Sequence, residues 1–172
     1  MKKIVFAAMI CCVAMMGITF TSCNNNKPEE LNAKLLTMDP CLNWGCNLAE
    51  VQQHMQAKSW WKNGNDSLEL WSDLGWHKWY YVAENITEQY LFETEDGKNL
   101  QYAECYCRDA NIPYSQGKLL LEKWGCIYMS KGTTMDNDPY DLYLSKDKAS
   151  NIYHINSGDD WYFFFEPARR VD

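Results

Sequence analysis

The sequence is short of positive charge. Sixteen Lys and Arg stand against 23 Asp and Glu in 172 residues, a net charge of −7. A chain this acidic lacks the electrostatic footprint of a nucleic-acid binder, so no nucleic-acid partner is expected. Histidine is scarce too: there are three, and none sits in a recognisable ligand or nucleophile motif. No Pro/Ser-rich stretch interrupts residues 39–172, which read as a single domain. What the chain does have is aromatic rings. Phe, Trp and Tyr make up 15%, with 8 Trp and 11 Tyr, which argues against intrinsic disorder.

Lys2 and Lys3 precede an uncharged run from Ile4 to Phe20, then Thr21-Ser22-Cys23 and Asn24-Asn25-Asn26. This order resembles the signal peptide of a bacterial lipoprotein, which is cleaved just before a lipid-modified cysteine, here Cys23. The alternative is an uncleaved membrane helix, because the run reaches the lower limit for spanning a bilayer. The resemblance implies that residues 1–22 leave, taking Lys2 and Lys3 and moving the charge from −7 to −9. It also implies a membrane partner through acyl chains at Cys23. Asn24, in place of a retaining Asp, favours the outer membrane. Lys27-Pro28-Glu29-Glu30 is similar to an acidic surface-display signal but is interrupted by Pro28, so the side of the membrane stays open. Residues 23–38 are expected to form a flexible tether, with Leu31, Leu35 and Leu36 making one helical turn at its end.

Asn47 and Glu50 have the spacing of a capping box, and Leu48, Val51 and Met55 follow on one face. A helix is expected from Leu48 to about Lys58. Gln89–Thr94 and Asn99–Cys107 flank Glu95-Asp96-Gly97 and read as a hairpin. With Gly97 left-handed and Thr94 opposite Lys98, Phe92 would face Leu100 and Tyr90 would face Tyr102. That register leaves Glu88 opposite Glu104. Trp79–Ala83 supplies a third strand. A second helix is expected over Ser115–Trp124, stopped by Gly125. Strands follow at Cys126–Ser130, Tyr140–Ser145, Ile152–Asn156 and Trp161–Glu166. Trp161-Tyr162-Phe163-Phe164-Phe165 reads as a central strand covered on both faces. The expected fold class is α+β: two successive helix-plus-antiparallel-strand halves, with helices packed on antiparallel sheet.

This layout, with Asp39-Pro40-Cys41-Leu42-Asn43-Trp44-Gly45 before a helix, is similar to small uncharacterised lipoproteins of gut Gram-negative bacteria. A more distant topological likeness is to the beta-lactamase-inhibitor-like fold. Neither resemblance carries catalytic residues to this chain, and fold does not fix function.

Of eight cysteines, Cys11 and Cys12 lie in the leader and Cys23 is the lipidation site, leaving Cys41, Cys46, Cys105, Cys107 and Cys126. Cys41 and Cys46 are close enough to close a small disulfide loop, and Cys105 or Cys107 could meet Cys126. A metal site from Cys41-x4-Cys46 and Cys105-x-Cys107 departs from knuckle spacing, so no metal or cofactor is expected. His54, His77 and His154 could serve a cysteine nucleophile only if the fold brought them near one. Asp159-Asp160 reads as an ordinary turn rather than a glycosidase pair. Trp60, Trp61, Trp71, Trp76 and Trp79 fall among Asn63, Asn65, Asp66, Asp73 and His77. Flat rings beside amides and carboxylates suit a sugar or a protein partner, whereas core filling is the plainer account. Trp60, Trp61 and Trp71 are the candidate ligand-binding residues. Asp66-Ser67-Leu68 also resembles an O-glycan attachment site. The expected function is a non-enzymatic envelope lipoprotein that binds a glycan or protein partner. The alternatives are an extracytoplasmic hydrolase and an inhibitor or assembly factor.

Overall fold

A polar residue that can fold back on its own backbone starts the first helix. In the computed structural model, which describes residues 29–58, 67–71, 76–83, 86–94, 96–158 and 160–168, Asn47 accepts from the Glu50 amide at 3.1 Å. Glu50 Oε2 accepts from the Asn47 amide at 2.9 Å, completing the capping box. Helix α1 runs Leu48–Gln56 and buries Val51 and Met55 completely. Helix α2 runs Tyr114–Trp124 and stops at Gly125, whose φ of +74° is open to glycine at little cost.

The strands are β1 (Ser67–Trp71), β2 (Trp76–Ala83), β3 (Ile86–Phe92), β4 (Leu100–Cys107), β5 (Ile127–Thr133), β6 (Pro139–Leu144), β7 (Ser150–Ser157) and β8 (Asp160–Pro167). They form one eight-stranded sheet in the order β1-β2-β3-β4-β8-β7-β6-β5, antiparallel throughout. This corrects the expected α+β architecture of two helix-plus-strand halves. The fold is dominated by a single continuous sheet carrying two short helices. The reason lies at β4 and β8, where Ala103–Cys107 pair with Phe165–Trp161. Both runs of strands thereby share a ladder and one core, so neither forms a unit of its own. The core gathers Tyr90, Phe92, Ala103, Cys105, Leu120, Leu121, Ile152, Phe163 and Phe165 on one face of the sheet.

The β3–β4 register is also corrected in part. Phe92 does face Leu100, but Leu91, not Tyr90, faces Tyr102, and Tyr90 faces Ala103. A bulge at Gln101 takes up the extra residue, so Leu100 and Ala103 both reach the covered face although three positions apart. The same shift removes the like-charge pair: Glu88 lies opposite Cys105, and Gln89 takes the place opposite Glu104.

Residues 29–38, expected as part of a flexible tether, are docked on the domain. Ala33–Thr37 form a 3-10 helix, and Leu35 and Met38 are 0% and 1% exposed. Each such burial contributes roughly 1.5–3 kcal/mol, enough to hold the segment down. Asn32, Glu29 and Glu30 also bond to Gln116 in the first turn of α2. The rest of the tether, Cys23 and the signal-peptide residues lie outside the described residues.

Among the described residues the helices cover only one side, which corrects the reading of β8 as buried on both faces. Trp161, Phe163 and Phe165 are buried beneath the helix layer, whereas Tyr162 and Phe164 point to the opposite face and stay half-buried. Among the described residues no helix is long and apolar enough to cross a membrane.

Candidate functional site

Period-two alternation sends every second residue of a strand to the same side. On the side away from the helices this collects Tyr102 and Tyr106 from β4, Tyr162 and Phe164 from β8, Tyr153 from β7, and Tyr140 from β6. All six are half-buried, and among the described residues no helix lies over them. The rings touch in two groups. Tyr106 stacks on Tyr162 with centroids 4.6 Å apart, and Tyr102 lies 5.2 Å from Phe164. Tyr153 meets Phe164 at 5.9 Å and Tyr140 at 5.1 Å, both edge-on. The result is an aromatic band across four adjacent strands.

Acceptors border the band. Glu104 accepts from the Tyr106 hydroxyl at 3.3 Å, and Glu166 Oε1 accepts from Tyr153 at 2.8 Å and from Asn151 at 3.1 Å. Gln89 is opposite Glu104 on the same face, and its buried Oε1 has no hydrogen-bond partner among the described residues. On this face the side chains offer acceptors and π-faces, which together suit a cation or a donor-rich surface. Toward β3 the face becomes buried at Thr87, Gln89 and Leu91. Past β6 it meets edge strand β5, where Ile127, Tyr128 and Met129 are each about half exposed, at 47%, 51% and 55%.

Under the helices the titratable groups are arranged differently. Glu88 is fully buried, yet every contact it makes is structural. Its Oε2 accepts from Lys58 Nζ at 2.7 Å and from the Tyr90 hydroxyl at 3.0 Å, and its Oε1 accepts from the Asp39 amide at 3.1 Å. The Tyr90 oxygen in turn accepts from the Cys41 amide at 3.0 Å. Burial, reinforced by the Glu88 charge, holds the Tyr90 hydroxyl well above the usual phenol range. This network ties the Asp39–Cys41 segment and the end of α1 to β3. A buried ion pair whose oxygens are all engaged is stitching, not a reaction centre.

Of the residues singled out from sequence, Trp60, Trp61 and Asp159 lie outside the described residues. Trp71 ends β1, with its backbone opposite Trp76. Cys41 and Cys46 are both buried, and the five cysteines Cys41, Cys46, Cys105, Cys107 and Cys126 are free thiols. Burial, then the neighbouring Cys41, pushes Cys46 up to about 12, and burial, then Asp147, pushes Cys126 up to about 11. Burial also raises Cys105 and Cys107. A nucleophilic thiol needs the opposite shift, so Cys46, Cys105, Cys107 and Cys126 are not activated. His54 Nε2 lies 2.7 Å from the Asp39 carbonyl oxygen, and His77 sits on β2 opposite Phe92. His154 is completely buried, stacked 3.7 Å from the Tyr114 ring. Neither of its ring nitrogens has a hydrogen-bond partner among the described residues, and burial lowers its pKa to about 3. Asp160 is exposed at the start of β8. Among the described residues no three or more His, Cys, Asp or Glu side chains are grouped to hold a metal ion.

A groove of about 590 Å³ lies beside the end of α2, with Trp124, Ile152 and Phe165 as its apolar wall and Asp39, Lys146 and Asp147 at its rim. It is wide open. Its buried hydroxyls are already engaged, Ser145 with Asp147 and Ser150 with the Trp44 indole.

Sequence reasoning placed the binding rings in the Trp-rich segment and missed the band. A signal was present: Tyr102, Glu104 and Tyr106 alternate on one strand, and Tyr162, Phe164 and Glu166 on another. The first was read only for its pairing across the hairpin, and the second as a strand covered on both faces. Comparison of the chain with protein-family models, curated proteins and solved structures finds no match.

Proposed function

We propose that this protein is a non-enzymatic binding module of the bacterial cell envelope, tethered by lipid at Cys23, whose aromatic sheet face takes a basic protein surface. The observation that carries this reading is the band made by the Tyr106–Tyr162 stack and the Tyr102–Phe164–Tyr153–Tyr140 series, with no helix over it among the described residues and with Glu104 and Glu166 at its border. Tyrosine brings large contact area at low conformational cost and dominates protein-binding hot spots. The band spans four strands, roughly 15 Å at the usual strand spacing, which is broader than a single sugar ring. An acidic chain with acceptors beside π-faces favours a partner presenting Arg or Lys among apolar groups.

The test places a photoreactive phenylalanine analogue at position 162 or 164 of the mature protein, with position 123 on α2 as control. Selective, salt-sensitive crosslinking of one envelope protein from the face positions is expected. Tyr106→Ala and Tyr162→Ala should each weaken that complex by about 2 kcal/mol, roughly thirtyfold, with folding intact. Retention on a polysaccharide that these variants abolish would move the ligand class to a glycan. Equal crosslinking from the face and control positions would remove the reading.

A further inference from the structure

From Glu29 onward, the chain that follows the proposed lipid site is bonded to the domain. Glu29 Oε1 accepts from Ser115 Oγ at 3.0 Å and from Gln116 Nε2 at 2.7 Å. Gln116 Nε2 also donates to the Glu30 carbonyl at 3.0 Å, and its Oε1 accepts from the Asn32 amide at 2.7 Å. Gln116 is 5% exposed, so its amide works as a clamp that uses both ends on one passing strand of chain. Lys34 pairs with Asp109 at 2.8 Å, and Leu35 and Met38 then enter the core. From Glu29 onward the leader is part of the domain.

We infer that the Gln116 clamp fixes how the domain stands on the membrane: the start of α2 is held close to the bilayer, and the aromatic face is turned away from it. The argument is one of reach and side. Only residues 24–28 separate Cys23 from Glu29, and six Cα steps span at most about 20 Å. The leader is received by α2, which lies on the covered side of the sheet, where Leu120, Leu121 and Trp124 meet Phe163 and Phe165. The aromatic band lies on the other side of the same sheet. A clamped leader therefore presents the band to the aqueous space, open to a partner that is soluble or carried by another surface. Without the clamp, the free linker would lengthen to the Lys34–Asp109 pair and the buried Leu35, and the domain would tumble.

This inference rests on lipid attachment at Cys23, and the experiment separates the two. The mature protein, with Cys126→Ser to remove the half-buried thiol, carries a fluorophore at Ala110→Cys just before α2 or at Ser130→Cys beyond the band. Each form is mixed with phosphatidylethanolamine/phosphatidylglycerol vesicles containing a headgroup quencher. Quenching should be strong at position 110 and weak at position 130. Gln116→Ala should erase that contrast, and so should a ten-residue Gly/Ser insertion between Lys27 and Pro28, which leaves the packed domain untouched. Protein that floats with the vesicles but quenches equally at both positions overturns the inference and leaves lipid attachment standing. Protein that does not float overturns both.

Discussion

On one face of β8, Trp161, Phe163 and Phe165 lie under the helix layer at 0–4% exposure. On the other face of the same strand, Tyr162 and Phe164 are half-buried, with no helix over them among the described residues. The residues alternate in sequence and are all aromatic, yet their surroundings differ in kind. Under the helices, rings fill space and polar groups are either locked together, as Glu88 is with Lys58 and Tyr90, or stranded, as His154 is. On the open face the rings are partly exposed and touch one another, and the carboxylates of Glu104 and Glu166 accept from tyrosine hydroxyls among them. The comparison teaches that a run of rings does not state its own burial. What the rest of the chain lays over them decides it.

The largest test of the contrast is truncation on either side. Phe163→Ala should cost about 3–5 kcal/mol in urea denaturation, because it leaves a cavity under α2. Phe164→Ala, one position on, should cost less, about 1 kcal/mol, since that ring is already partly exposed to water. Equal losses would mean that the open face is core.

Glu88→Gln sharpens the covered side. It leaves the Lys58 ammonium buried beside a neutral amide, and a broken buried pair typically costs about 3 kcal/mol or more. The same change at Glu104 on the open face should be nearly silent in a thermal melt.

A pH profile reads the stranded histidine. His154 has its pKa lowered to about 3 by burial, opposed by Asp141, which is its register partner, and aided by Lys118. Its ring also faces Tyr114, Trp161 and Phe163. The unfolded chain therefore takes up a proton below pH 6.5 that the folded chain refuses until about pH 3. Stability is complete above pH 6.5 and is lost as pH falls, by about 2 kcal/mol between pH 6.5 and 5. Chemical denaturation across that interval should show the slope, and His154→Gln should flatten it.

The smallest effect concerns the ring stack itself. Tyr106→Ala should shift stability by no more than about 1 kcal/mol, the scale of one aromatic pair. If its circular dichroism and melting point match the parent while partner capture fails, the open face is a binding surface and not a support.

Local order was legible where short-range chemistry suffices. Asn47 with Glu50 announced α1, Gly125 announced the end of α2, and each expected strand overlaps an observed one. The Gln101 bulge was not legible, because it is set by which of Leu100 and Ala103 the core accepts, a contact between distant residues. The docking of Leu35 and Met38 was missed because Lys27-Pro28-Glu29-Glu30 and Asn32 make the segment look solvated. The aromatic band was missed because the two sides of Trp161–Phe165 are equally apolar.

By itself, then, the sequence determined the helix caps, the turn glycines and the alternation that sorts each strand into two faces, since these depend on neighbours within a few residues. The tertiary structure alone decided that β4 and β8 join all strands into one sheet and that residues 29–38 dock against Gln116 and the core. It alone decided that, among the described residues, the helices lie on one face of the sheet and not on the other. Burial depends on which distant segments arrive, and one cohesive core is enough to hold eight strands while sparing the second face.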